Sequence, residues 1–418
     1  MGLAKNNAEI KQHAKLQFEQ ILKRATEKKA SDIHLKVGVP PIVRVNGQLY
    51  YLSEEGGTPF GRLNQQELSD IGYALMNERQ SEKYENGLEV DLGYEIPGCG
   101  RYRINLCQQR SNPRLVCRFI PEAIKTIAQL GLPSSIEQLA SSPRGLILVT
   151  GATGSGKSTT LAAMIDHIAR NRSCHIITIE DPIEFSFRDR KSIVTQREVG
   201  LDTPNFVQAL KYSLRQDPDV ILVGEMRDEE TISMALTAAE TGHLVLSTLH
   251  TLDATETINR ILASISPAMQ MQIRLLLAAV LVGVVSQRLV RRKDTHGRVA
   301  AVEVLVSNAR VKEMISEAGR THDLRRVIEQ GQSQGMLSFD QCLMILYQKG
   351  LINKEEALLN STNPQDFQLR LEGVVPGEWR EDEDRSVSHA EKVKEIMKSE
   401  GIVREIELDR TQLEPKKK

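Results

Sequence analysis

The octapeptide Gly151-Ala152-Thr153-Gly154-Ser155-Gly156-Lys157-Ser158 constrains this chain more than any other feature. It fits GxxxxGK[ST], follows the apolar run 146–150 and precedes the helix-like Thr159-Thr160-Leu161-Ala162-Ala163-Met164. A strand, a glycine-rich turn and a helix in that order commit the region to a βαβ unit. In such a turn successive N–H groups face phosphate oxygens, and the helix N-terminus adds its dipole. Gly151, Thr153, Gly154, Ser155, Gly156, Lys157, Ser158 and Thr159 are therefore the expected nucleotide-binding residues. Lys157 is expected to reach the β and γ phosphates, and the Ser158 hydroxyl to be a ligand for Mg²⁺. ATP and Mg²⁺ are the cofactors this pattern calls for.

A phosphate site of this kind needs an acid for the metal at the end of a neighbouring strand. Val220-Ile221-Leu222-Val223-Gly224-Glu225 supplies one, and Glu225 is read as that metal-binding acid. A second cluster, Glu180-Asp181-Pro182-Ile183-Glu184, follows the apolar run 175–179. Carboxylates so crowded beside a triphosphate repel unless they hold metal and water, so Glu184 or Glu180 is expected to orient the attacking water. His243 and His250 bracket the run 244–248, and each could sense the γ-phosphate at its own end of that strand. A zinc site from the pair is not expected, because no third ligand is near in sequence.

The rest of the chain falls into distinct grammars. Leu16, Phe18, Ile21 and Leu22 sit among charges at helical spacing, which predicts an amphipathic first helix. Asn46-Gly47 between β-prone runs predicts a hairpin, and Asn64 with Glu67 predicts the capped start of a second helix. Leu88, Val90, Leu92, Tyr94 and Ile96 alternate with polar residues, as do Tyr102, Ile104 and Leu106. Residues 1–120 thus read as a small α+β domain with one face of an antiparallel sheet buried. Pro121, Pro133, Pro143 and four serines mark 121–144 as a linker or hinge. From 145 to 372 the runs 146–149, 175–179, 220–223 and 244–246 are apolar without alternation, which predicts strands buried on both faces of a parallel sheet. The fold class is α/β, with the smaller α+β domain in front. The charged stretch 373–418 is expected to be disordered, with one short helix at 393–397.

Composition removes several alternatives. Lys and Arg number 54 against 55 Asp and Glu, a net charge of -1, and aromatic residues are 4%. A chain so balanced, and so poor in stacking residues, is not expected to bind nucleic acid as a translocase would. The five cysteines contain no CxxC pair, so neither a zinc ribbon nor a disulfide framework is expected. The first thirty residues are charged throughout, so no signal peptide is expected. The most apolar stretch, 275–285, is far shorter than the roughly 20 residues of a spanning helix and is expected to be one buried core helix.

These residues resemble a known family. Ala30-Ser31-Asp32-Ile33-His34-Leu35, the glycine-rich turn, Ile179-Glu180-Asp181-Pro182-Ile183-Glu184, Leu222-Val223-Gly224-Glu225-Met226-Arg227-Asp228 and Ala239-Glu240-Thr241-Gly242-His243, with Ser247-Thr248-Leu249-His250-Thr251, are similar to the boxes of secretion ATPases. Among these the chain is most similar to the PilT-type retraction ATPases of type IV pili. The resemblance implies a PAS-like first domain, a RecA-like motor domain and a homohexamer with ATP between neighbours. It also implies that Glu184 is the catalytic carboxylate, Glu225 the Walker B acid, and His243 and His250 a functional pair. Arg103 and Arg118, flanking Arg110, match arginines that approach the phosphate of an adjacent subunit. Twitching motility, an inner-membrane pilus platform and a paralogous retraction ATPase as partners are implied too. So is a cytoplasmic location at the inner face of the membrane, with attachment only through partners. Ala152 stands where the family usually has Pro. Arg310-Val311-Lys312-Glu313-Met314-Ile315 stands where it has Ala-Ile-Arg-Asn-Leu-Ile. Pilus-extension or type II secretion motors are the alternative within the superfamily, but their four-cysteine insertion is not found here.

Overall fold

Alternation of apolar and polar residues builds the first sheet. The computed structural model describes residues 2–372 except 46, 54–59, 121–122 and 295–296, with side chains from residue 9 onward. Helix α1 (Gly2–Glu27) leads to strands β1 (Asp32–Lys36), β2 (Ile42–Val45) and β3 (Gln48–Tyr51). Helices α2 (Gln65–Leu75) and α3 (Glu78–Gly87) follow, then β4 (Glu89–Ile96), β5 (Gly100–Gln109) and β6 (Asn112–Ile120). The strands pair antiparallel throughout in the order β3-β2-β1-β6-β5-β4. Ile33, Leu35, Val90, Leu92, Tyr102, Ile104 and Leu106 line one face, against Phe18, Ile21 and Leu22 of α1 and Leu68 and Ile71 of α2.

Most of the local signals for this part hold. Asn64 caps α2 with a reciprocal bond from its own amide to Glu67, and Val45 pairs with Gln48 across the expected hairpin, whose Asn46 lies outside the described residues. Two expectations need correction. Leu16 is 54% exposed, because it stands two residues, about 200° of helical rotation, from Phe18. Leu88 is not in a strand. It ends α3 with φ 61 in the left-handed region and is exposed, so alternation begins at Glu89.

The second sheet runs β13-β12-β7-β11-β10-β8-β9. Its members are β7 (Gly145–Thr150), β8 (His175–Glu180), β9 (Ile193–Glu198), β10 (Val220–Val223), β11 (Leu244–Leu249), β12 (Leu281–Arg291) and β13 (Arg298–Val306). All neighbours are parallel except β12 with β13. Helix α4 (Ser135–Ala140) leads into β7, and helices fill the crossovers: α5 (Lys157–Asn171), α6 (Phe206–Ser213), α7 (Glu229–Glu240), α8 (Ala254–Ala263) and α9 (Gln270–Val280). The helices α10 (Ala309–Ser316), α11 (Leu324–Gln330), α12 (Phe339–Gln348), α13 (Lys354–Asn360) and α14 (Pro364–Leu371) follow. Strand β7 shows why its sequence does not alternate: Leu146 and Leu148 join one core, Ile147 and Val149 the core on the opposite face.

Here too the structure amends the reading. The apolar stretch 275–285 is not one buried helix. It divides at Leu281 into the end of α9 and the start of β12, where Val282, Val284 and Val285 favour extended backbone, and Leu275 is 53% exposed. Within the expected linker, α4 packs Ile136, Leu139 and Ala140 into the core of the second sheet. The segment 373–418, with its expected helix at 393–397, lies outside the described residues. Among the described residues no helix is long and apolar enough to cross a membrane.

Candidate functional site

Parallel strands send all their carboxyl ends to one edge, which is where open α/β sheets bind ligands. Here β7 ends in the glycine-rich turn, β8 in Glu180, β10 before Gly224-Glu225, and β11 before His250. Gly151, Gly154 and Gly156 take φ of 144, 77 and 95, conformations that a side chain disfavours. At Gly156 a Cβ would also stand 2.6 Å from Nε2 of Gln287. Gln287, on β12, fastens the turn. Its Nε2 donates to the carbonyl of Ser155 (2.8 Å), and its Oε1 accepts from Oγ1 of Thr160 (2.6 Å). At the base of the turn, Thr150 Oγ1 donates to Ser286 Oγ at 2.9 Å.

The turn is equipped for an anion. Nζ of Lys157 donates to the carbonyls of Gly151 (2.8 Å) and Ala152 (3.0 Å), both neutral groups. Burial lowers its pKa, and the charges of Glu184 and Glu225 oppose that fall. Ser155 Oγ is buried and, among the described residues, has no hydrogen-bond partner. A phosphate on this turn would give the ammonium a direct counter-charge and the orphaned hydroxyl an acceptor.

Beside the turn lies a cleft of about 250 Å³ lined by Thr153, Gly154, Lys157, Ser158, Glu184 and Glu225, with Glu180, Arg227 and His250 at its sides. Glu225 is largely buried. Arg227 pairs with its Oε1, and His250 Nε2 stands 3.7 Å from its Oε2. Ser247 Oγ and Thr248 Oγ1 donate to the carbonyls of Val223 and Gly224, both at 2.7 Å, so β11 pins the backbone that carries Glu225. Burial pushes the Glu180 pKa up. Hydrogen bonds from Thr178 Oγ1 (2.7 Å) and Gln196 Nε2 (3.1 Å), and one from the Glu184 backbone, work against that rise. A carboxyl so enclosed is poorly placed to swing onto water, whereas Glu184 lines the cleft at the surface end of the same loop.

On the far side of the turn a larger cavity, about 1260 Å³, is bordered by Gly156, Thr159, Thr160 and Gln287. Thr159 therefore faces this second space rather than the acidic cleft. His243 is not brought to the cleft. It precedes β11, with Nδ1 2.8 Å from the carbonyl of Ala238, and the strand separates it from His250 by about 20 Å at 3.3 Å per residue.

The arginines of the first sheet also stand apart from the cleft. Arg103 and Arg118 are direct register partners on β5 and β6. Arg118 Nε donates to Asp32 Oδ1 at 2.9 Å while its side chain stays 71% exposed, and Arg103 Nε is 3.9 Å from Asp91. Arg110 occupies the β5–β6 turn with φ 51, at the far tip of the hairpin. Gln287, Gln196 and Arg227 are not among the residues that local sequence marks for the site. A lone glutamine inside the valine-rich β12 was the one local sign of the first.

The chain is similar to known proteins over most of its length. Residues 103–346 match the family model described as type II/IV secretion system protein. The type IV pilus retraction ATPase PilT of Pseudomonas aeruginosa is 41% identical over 352 residues, covering 84% of this chain and all of that protein. The type IV pilus ATPase PilU of the same organism is 39% identical over 356 residues, covering 85% of this chain and 91% of that one. A crystal structure of the pilus retraction motor PilT with bound ADP superposes with a TM-score of 0.75 at 45% identity, covering 83% of this chain and 97% of the other.

Proposed function

The chain belongs to the type II/IV secretion system protein family, and from that premise we propose that it is an ATP-hydrolysing motor that powers retraction of type IV pili. The observation that carries this is the convergence of Lys157, Ser158, Glu184 and Glu225 on one cleft beside the glycine-rich turn.

In this reading the triphosphate lies along residues 151–158, with Lys157 leaving its loop carbonyls for the β and γ oxygens. Glu184 holds the attacking water in line and takes its proton, and Glu180, buried behind it, is a support rather than the base. The nucleoside end extends toward the cavity beside Thr159. Mg²⁺ fits the donors present. Among the described residues no group of three or more His, Cys, Asp or Glu side chains is arranged to hold a metal alone, so Ser158 and Glu225 would hold it together with phosphate oxygens. When bound, that ion neutralises charge developing on the phosphates. His250, set against Glu225, is placed to respond to occupancy of the γ position; His243 is not, within its own subunit.

The first-sheet arginines complete the proposal. Neither Arg103 nor Arg118 lines the cleft of its own chain, and both are exposed on one face. Their use is then in trans, in a homohexamer where each subunit presents them to a neighbour's nucleotide, so that hydrolysis shifts subunits against one another. The ring would work at the inner face of the cytoplasmic membrane on an inner-membrane pilus platform, with a paralogous retraction ATPase as a further partner and no nucleic acid. The full-length match to PilT favours retraction over extension. Deleting the gene should leave surface pili in place and abolish twitching. Cells without pili would overturn the direction assigned here.

A further inference from the structure

Glu198, at the end of β9, is one of the most deeply buried charged side chains in the molecule, 4% exposed. Its partner comes from the other sheet: Nη2 of Arg101, on β5, donates to its Oε2 at 2.6 Å. The same oxygen accepts the backbone amide of Ile183 at 3.2 Å, one residue before Glu184. Glu180, its register neighbour on β8, is hydrogen-bonded by the backbone of Glu184 itself. Two adjacent strand-end carboxylates thus hold the loop that carries Glu184, and one of them is clamped by an arginine 97 residues earlier in the chain.

The first sheet is shaped for this contact. Arg101 is only 16% exposed at its side chain, and its other acidic neighbour, Glu95, is 3.9 Å away and mostly exposed. Gly93 on β4 leaves the space: a Cβ there would stand 2.6 Å from Nη2 of Arg101 and 3.2 Å from Oε2 of Glu198. Breaking the pair would leave a carboxylate buried without a cation, which is costly.

We propose that Arg101 is a positioning residue which, through Glu198 and the Ile183 amide, links the orientation of the first sheet to the placement of Glu184 in the same subunit. This differs from the trans role of Arg103 and Arg118, which share its face of the sheet but, among the described residues, pair with Asp91 and Asp32 of the first sheet rather than with an acid of the second. The inference rests on Glu184 being the catalytic carboxylate. Turning the first sheet away would withdraw Arg101 and loosen the loop, so a cleft is competent only in one arrangement of the two sheets.

The test is amide hydrogen exchange of the full chain without nucleotide, together with steady-state ATP hydrolysis. In Arg101→Gln, exchange of the amides of residues 183–185 should accelerate about tenfold while that of the glycine-rich turn stays as in the wild type. In the same variant kcat should fall about tenfold to a hundredfold, with KM for ATP within about twofold. Gly93→Ala, which removes no charge but crowds the pair, should reproduce both changes. Arg101→Lys should restore part of each. Unchanged exchange over 183–185 in both Arg101→Gln and Gly93→Ala, or an equal rise across the whole chain, would overturn the link. Should the wild type prove unable to hydrolyse ATP, the proposed function falls, while the exchange comparison still decides whether Arg101 holds the loop.

Discussion

The edge of the second sheet and the arginine-bearing face of the first hold their charged side chains in opposite ways. At the edge, Lys157 and Glu180 are buried and the Glu225 side chain is largely so, and polar partners from β8, β9, β11 and β12 fix the loops around them. On the face, Arg103 and Arg118 rest on Asp91 and Asp32 with their guanidinium groups toward solvent. Buried, cross-braced charge is expensive to assemble and suits chemistry that must be repeated with one geometry. Exposed arginines on a rigid sheet cost little and suit a surface offered to something else. The difference fits the proposed division, in which one sheet holds the reacting groups while the other delivers charge elsewhere, and Arg101 is a contact between them.

The largest effect expected is at the edge. Glu184→Gln should lower kcat for ATP hydrolysis by about 10³ and leave nucleotide binding intact, whereas Lys157→Ala should lose both, as fluorescent-nucleotide titration and phosphate release would report. Equal losses of binding in the two would erase the distinction between the water-orienting acid and the phosphate clamp. Next comes the face: Arg103→Ala or Arg118→Ala should cost about 10² in kcat with nucleotide affinity unchanged. Gln287→Ala removes the tether to Ser155 and Thr160, and should weaken nucleotide affinity by about 1 kcal/mol, or roughly fivefold. A change of similar size in the arginine variants would blur the two regions.

The smallest effect is in stability against pH. Burial pushes the Glu303 pKa from 4.5 up to about 7, with the Ala254 amide opposing the rise. The folded state therefore holds a proton that the unfolded chain loses earlier. That stabilisation is full below about pH 4.5 and is lost as pH rises through about 7. Glu303→Gln should flatten the decline in thermal stability between pH 5 and pH 8. On the first sheet the sign reverses. Burial raises the Asp32 pKa, but hydrogen bonds from Arg118 and Ser31 outweigh it and hold the carboxyl below its ordinary value. Its contribution is present at neutral pH and fades only as pH falls through the acidic range, so Asp32→Asn should lose less stability at low pH than at pH 7.

What the sequence made legible divides along the same line. The glycine-rich turn, the apolar strands and the capping box at Asn64 depend on neighbours within a few residues, and each is where local pattern places it. The stretch 275–285 differs from its local pattern because a short apolar run suits either a helix or a strand, and only the valines after Leu281 favour the latter. Contacts such as Gln287 with Ser155, or Arg101 with Glu198, join residues 132 and 97 apart, and no local signal encodes the approach. His243 and His250 look like a pair in sequence, yet a six-residue strand sends them to opposite ends. Of the acids after β8, pattern alone left Glu180 and Glu184 open, and burial separates them.

Co-expression of Arg103→Ala and Lys157→Ala subunits tests the division of labour most directly, since each variant alone should release almost no phosphate. If the arginine acts on a neighbour's nucleotide, mixed assemblies contain junctions with an intact Lys157 on one side and an intact Arg103 on the other, and the mixture should hydrolyse ATP faster than the sum of the two separate preparations. A rate equal to that sum at every mixing ratio would contradict the account.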